Sequence, residues 1–241
     1  MTPPIKTLGG AQFWTDVTWR DGYRIQQNMA LGGFRLLDPR DFRVTSGDRG
    51  HCQAQLEQIC PESSDVAAPS RVIVLLHGLM RTRHSMKKLK SRLLSSPLSY
   101  VDDPLQVIRF GYASSQATMA EHAEALQSVL SQLPRQCRIQ FVGHSMGNIV
   151  VRRLITRLQD DDPTGILPRC DAMVMLGPPN QGSSIARRLG PTRVFGWITG
   201  RAGTELGTAW NELGPQLATP PFPFAIVAGD VSQSPLRNPL V

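Results

Sequence analysis

The chain has 241 residues, 41% of them apolar and 19% charged, which suits one large domain with a substantial core and excludes a disordered or collagen-like chain. Its formal charge of +7 raises nucleic acid or anionic lipid as partners, yet no helix-turn-helix, zinc-finger or RNA-binding signature accompanies it, so nucleic acid is set aside. No apolar run approaches the ~20 residues of a membrane-spanning helix, so an integral membrane protein is not expected.

Met1 to Gly10 holds one lysine, two prolines and no apolar stretch, so no secretory signal is recognisable and a cytoplasmic location is expected. Residues 1–70 read as an N-terminal extension. Tyr23 to Asn28 and Phe34 to Leu37 form a β-hairpin around Gly32 and Gly33, and Asp48 caps a short helix from about Gly50 to Ile59. Pro61 to Pro69 is a polar linker. Cys52 and Cys60 lie two helical turns apart, ~12 Å, too far for a disulfide. With Cys137 and Cys170 they show no C-x-x-C spacing, so four reduced thiols and no metal site are expected.

Residues 71–241 alternate strands and helices, which implies an α/β domain with a mostly parallel sheet flanked by helices. Val72 to Leu76 is a continuous aliphatic run, as a strand buried on both faces requires. Ser85 to Ser95 has helical spacing of Met86, Leu89, Leu93 and Leu94. Leu105 to Phe110 is the next strand. Thr118 and Glu121 form a capping box that opens a helix through Leu133. Its His122 sits on the first turn and is expected in solvent. Ile139 to Val142 is a strand, Asn148 to Leu158 a helix, Met173 to Leu176 and Phe224 to Ala228 strands. Two readings stand for the basic cluster Arg81, Arg83, Lys87, Lys88 and Lys90: a solvated helix face, or a surface for an anionic ligand. Two also stand for Gly190 to Gly214, with Phe195, Trp197, Ile198 and Trp210: a cap over an active site, or an irregular connection with buried aromatics.

The chemistry concentrates at Gly143-His144-Ser145-Met146-Gly147, a G-x-S-x-G sequence directly between a strand and a helix. A serine on so sharp a turn needs small neighbours, and the helix N-terminus behind it favours developing negative charge. Upstream, His77-Gly78-Leu79 closes the strand Val72 to Leu76. There the Leu79 amide, with that of Met146, could hold an oxyanion, and His77 shapes the loop rather than acting as a base.

From Arg71 to about Ala228 the chain resembles the α/β-hydrolase superfamily, nearest its lipase and esterase branch. The resemblance rests on His77-Gly78, Gly143 to Gly147, and Leu176-Gly-Pro-Pro-Asn-Gln-Gly-Ser183. It implies hydrolysis of a small-molecule or lipid carboxylic ester through an acyl-serine, with no metal or organic cofactor. Ser145 would be the nucleophile and the Leu79 and Met146 amides the oxyanion donors. Family members order their triad serine, acid, histidine. Here all five histidines, His51, His77, His84, His122 and His144, precede Ser145. His144 should point away from the serine, and His84 is the one remote substitute. Asp230 follows the last strand, where some members carry the acid; the competing reading, a strand-end turn residue, is the simpler one. The expectation is an impaired hydrolase that lacks C-terminal elements, its strand Phe224 to Ala228 left as an uncovered apolar edge. The alternative is a non-catalytic hydrolase-like scaffold that binds an acyl ligand or a partner protein.

Overall fold

The computed structural model describes residues 5–7, 12–61, 69–96, 104–180, 201–207 and 209–228. Within them lie two five-stranded sheets. The first is antiparallel, from β1 (Ile5–Lys6), β2 (Trp14–Arg20), β3 (Tyr23–Asn28), β4 (Phe34–Leu37) and β5 (Phe42–Gly47), in the order β1-β5-β4-β3-β2. Helix α1 (Arg49–Ile59) follows, its first turn closed by the Asp48 carboxylate, which accepts from the His51 amide. The predicted hairpin is therefore the β3–β4 pair, with Ile25 opposite Leu36, inside a larger sheet.

That larger sheet escaped the sequence reading for a physical reason. Thr15, Asp16, Thr18, Arg24 and Gln26 are all buried, and so are Val17 and Ile25, which pack with Leu36, Cys52 and Leu56; β2 and β3 are covered on both faces, and the polar residues do not mark a solvent side. Arg24 is 1% exposed and lies between Asp16, whose Oδ1 is 3.3 Å from Nη1, and Asp41, whose Oδ1 pairs with Nη2. Gln26 Nε2 donates to Asp16 Oδ1 at 2.7 Å. Buried ions survive only with such partners.

The second sheet is parallel throughout, in the order β10-β9-β8-β6-β7. It comprises β6 (Arg71–Leu76), β7 (Leu105–Phe110), β8 (Arg138–His144), β9 (Cys170–Leu176) and β10 (Phe224–Val227). Alternate residues of β6 serve opposite faces, as period-two geometry dictates. Val72, Val74 and Leu76 join the large core with α3 (Met119–Leu130) and α4 (Met146–Asp160). Ile73 and Leu75 pack with Met86 and Val107 on the other face, beside α2 (Lys87–Leu94). The capping box is present, Thr118 and Glu121 exchanging hydrogen bonds at the start of α3. His122 is a correction. It is fully buried, because Met119, His122, Ala123 and Leu126 lie on the stripe that α3 turns to the core.

Strand β2 ties the two sheets together. The Asp16 amide donates to Gly111 O at 2.8 Å, the Gly111 amide returns a bond to Asp16 Oδ2 at 2.7 Å, and the Ala113 amide donates to Thr15 Oγ1 at 3.0 Å. Arg83 belongs to neither reading of the basic cluster: it is 6% exposed, and its guanidinium pairs with Asp41 of the antiparallel sheet. The described part of the glycine-rich stretch is helical at 201–206 and Trp210–Leu213, with Ala202, Leu206 and Leu213 in the large core. Phe195, Trp197 and Ile198 lie outside the described residues, as does most of the linker before β6. The side chains of β10 are exposed, Phe224 at 44%, Ile226 at 50% and Val227 at 54%. All four cysteines are buried and none is in a disulfide. Among the described residues no helix is long and apolar enough to cross a membrane.

Candidate active site

Ser145 stands where β8 turns into α4, as the N-cap of that fifteen-residue helix, with φ 51° and ψ −120°. Left-handed backbone at a residue with a Cβ costs on the order of 1–3 kcal/mol and persists only where its surroundings enforce it. The enforcement is visible. The Ser145 amide donates to Leu176 O at 2.9 Å, and Ser145 O accepts from the Asn148 amide at 3.1 Å and from Asn148 Nδ2 at 2.9 Å. A Cβ at Gly143 would collide with Asn148 Oδ1 and sit 2.8 Å from the Asn148 nitrogen. One at Gly147 would sit 2.8 Å from Leu76 O and 2.9 Å from His77 O. The two glycines are what allow strand, turn and helix to close so tightly.

The loop after β6 lies against this turn. A Cβ built on Gly78 would be 3.3 Å from Ser145 Cβ and 3.0 Å from His144 Nδ1, so the Gly78 backbone borders the serine. The Met146 amide belongs to the first turn of α4. The Gly78 backbone and the first turn of α4 thus both lie beside Ser145. Met80, next in the loop, has φ 55°, and its amide donates to Ser114 Oγ at 3.0 Å.

The histidines are accounted for one by one. His77 is fully buried, its Nδ1 2.9 Å from Gly78 O and its ring stacked 4.1 Å from Tyr112. Burial pulls its pKa down to about 4, against the raising effect of its hydrogen bonds. Tyr112 Oη donates to His77 O. His122 meets the edge of the same tyrosine at 4.8 Å, and burial, then the neighbouring His77, lowers its pKa to about 3. His77 Nε2 and both His122 ring nitrogens have no protein partner. His144 is exposed, its pKa lowered by partial desolvation and by Arg81. His84 Nε2 is 3.7 Å from Asp41 Oδ2, and His51 Nε2 is 2.8 Å from Thr45 Oγ1. Among the described residues, none of these rings is hydrogen-bonded to the Ser145 hydroxyl. Asp230 lies outside the described residues.

Three participants have no motif in the sequence: Tyr112, which pins the His77 carbonyl; Ser114, which holds the Met80 amide; and Asn148, which closes the serine turn. Asn148 was the most accessible of them, one residue past the glycine pair on the helix's first turn. Among the described residues no group of histidine, cysteine, aspartate and glutamate is spaced to hold a metal ion.

Among solved structures the fold is similar to that of the mature lipase BlEst2 from Bacillus licheniformis, with TM-score 0.50 and 17% identity over 70% of this chain and 68% of that one. Phospholipase PlaB from Legionella pneumophila aligns at TM-score 0.48 and 18% identity over 68% of this chain, which spans 40% of the length of that protein. A metagenomic carboxyl esterase, MGS0156, aligns at TM-score 0.49 and 16% identity over 69% and 52% of the two chains. At such identities the likeness is one of fold, a parallel α/β-hydrolase sheet flanked by helices. No curated protein matches the sequence. Residues 39–212 match the family described as a domain of unknown function, DUF7379; they make up most of the chain, which belongs to that family.

Proposed function

We propose that the chain is a serine hydrolase of carboxylic esters, of the lipase and esterase kind, with Ser145 as nucleophile. The observation that carries this reading is the backbone of Ser145, φ 51° and ψ −120°, kept against strain at a helix N-terminus by two glycines that admit no side chain. A scaffold has no use for such strain. The fold shared with a lipase supports the same reading.

In this mechanism Ser145 Oγ attacks the ester carbonyl, its proton leaves to a base, and the carbonyl oxygen becomes an anion between the Leu79 and Met146 amides. Collapse expels the alcohol, and water then releases the acid from the acyl-serine. On this reading the amides need little reorganisation, since one opens a helix and the other follows a glycine that lies against the serine. The base is the weak link. His77 stays neutral down to about pH 4, but its Nδ1 is engaged by Gly78 O, and no other ring reaches the hydroxyl among the described residues. Serine enzymes stripped of a triad member keep roughly 10³-fold catalysis over water, so weak turnover is the expectation.

The missing base is also the observation that favours the second reading, a scaffold that binds an acyl ligand or a partner protein without turning it over. Hydrolysis of p-nitrophenyl butyrate by the wild type and by Ser145→Ala separates the two. Slow turnover lost in the variant supports the hydrolase. Turnover equal in both proteins removes Ser145 from the chemistry and leaves the scaffold. Turnover at ordinary esterase rates would mean that a base does reach the serine, with His84 the first to test.

A further inference from the structure

One side chain from the N-terminal segment reaches the loop that borders Ser145. Gln12 precedes β2. Its Nε2 donates to Arg81 O at 3.0 Å, and its Oε1 accepts from Ser114 Oγ at 3.0 Å and from Ser115 Oγ at 3.2 Å. Ser114 Oγ in turn accepts from the Met80 amide at 3.0 Å. The amide of Gln12 therefore grips the loop at two successive residues: Arg81 directly through its carbonyl, and Met80 through the serine. The held residue is the strained one, Met80 at φ 55°. Without a grip, a methionine at that φ would relax towards the ordinary regions of backbone space. Relaxation there rotates the Leu79–Met80 peptide, and with it the backbone next to Ser145.

The rest of the anchoring runs in the same direction. Segment 111–115 carries both Tyr112, which fixes the His77 carbonyl, and Ser114, which fixes the Met80 amide. That segment is itself pinned to β2 through Asp16 and Thr15. Beyond the loop, Arg83 is held by Asp41. Residues 77–83 are thus braced at both ends, with Gln12 acting on Met80 and Arg81 between them.

We infer that Gln12 is a positioning residue: through Ser114 and the Arg81 carbonyl it holds the 78–81 loop in the conformation that presents the Leu79 amide beside Ser145. This rests on the ester-hydrolase reading for its chemical meaning, although the grip itself does not. A donor and an acceptor on one side chain are both required, so Gln12→Ala loses all three bonds and Gln12→Glu keeps only the acceptor.

The test combines amide hydrogen exchange at Met80 and Arg81 with the rate at which a fluorophosphonate labels Ser145, in wild type, Gln12→Ala, Gln12→Glu and Ser114→Ala. A urea midpoint for each variant guards against global loosening. Losing one such bond is worth about a tenfold change. Expected are exchange at Met80 about tenfold faster in Gln12→Ala and Ser114→Ala, partial protection regained in Gln12→Glu, and labelling slowed by a similar factor with the urea midpoint little moved. Unchanged exchange at Met80 in Gln12→Ala overturns the inference, and so does faster exchange with labelling as rapid as in wild type. If the wild type takes no label, the hydrolase reading fails on its own, and exchange alone then decides whether Gln12 holds the loop.

Discussion

Acid should weaken this fold well before its carboxylates titrate, because two imidazoles are buried neutral around Tyr112. His77 and His122 are fully buried, with pKa values pulled down to about 4 and about 3. In the unfolded chain each takes up a proton near pH 6.5. Between pH 6.5 and pH 4 the unfolded state therefore binds more protons than the native one, so stability falls as pH falls, and the loss levels off once the native rings protonate too. From pH 7 to pH 5, a ring that stays neutral in the fold and titrates freely outside it loses about 2 kcal/mol, or about 4 kcal/mol for the pair. Glu121 and Asp162, held low by hydrogen bonds that outweigh their burial, act mainly below that window. Glu205, raised by burial, acts in the opposite sense as it takes up its proton. The difference between two proteins is therefore the proper readout. Urea unfolding at pH 7 and pH 5, followed by circular dichroism, should show the decline shrink from about 4 to about 2 kcal/mol in His122→Leu. That variant should be no less stable than wild type at pH 7, since both ring nitrogens it removes lack a protein partner. An identical decline in the two proteins would mean that His122 is not held neutral in the fold.

Other changes have equally definite consequences. Gly147→Ala puts a methyl group 2.8 Å from Leu76 O and should cost about 1–3 kcal/mol or more in urea unfolding, with loss of whatever activity Ser145 has. Ser145→Gly abolishes labelling yet should stabilise the protein by about 1 kcal/mol, because glycine occupies φ 51° without penalty; a destabilised variant would contradict the strain at that position. Asp41→Ala leaves Arg24 and Arg83 buried without their shared carboxylate and should cost about 3–5 kcal/mol, whereas an effect below about 1 kcal/mol would mean that the ion pairs are dispensable.

What could be read from the sequence was what is encoded locally. The aliphatic run of β6, the Thr118 capping box and Gly143 to Gly147 each declare their geometry within a few residues. The antiparallel sheet did not, because Asp16, Arg24 and Gln26 are buried by bonds to one another and to Asp41, partners 8, 10 and 17 positions apart that only the folded sheet brings together. One local signal for it does exist. Asp21 and Gly22, both with positive φ, form the two-residue turn between β2 and β3 that Asp-Gly favours. His122 illustrates the opposite error. Its polarity suggested solvent, while its position three residues after Met119 already placed it on the apolar stripe. Gln12, Tyr112 and Ser114 reach the site only through the packing of one sheet on the other, and no spacing rule could have named them.

If the serine perched at the head of α4 is a nucleophile, it forms a bond to an acyl-like electrophile, and peptide mass mapping after prolonged exposure to a fluorophosphonate detects that bond. One adduct per chain is expected, carried by the peptide containing Ser145 and absent from Ser145→Ala. A folded protein that stays unmodified, or carries its adduct on another residue, would rule out Ser145 as the nucleophile.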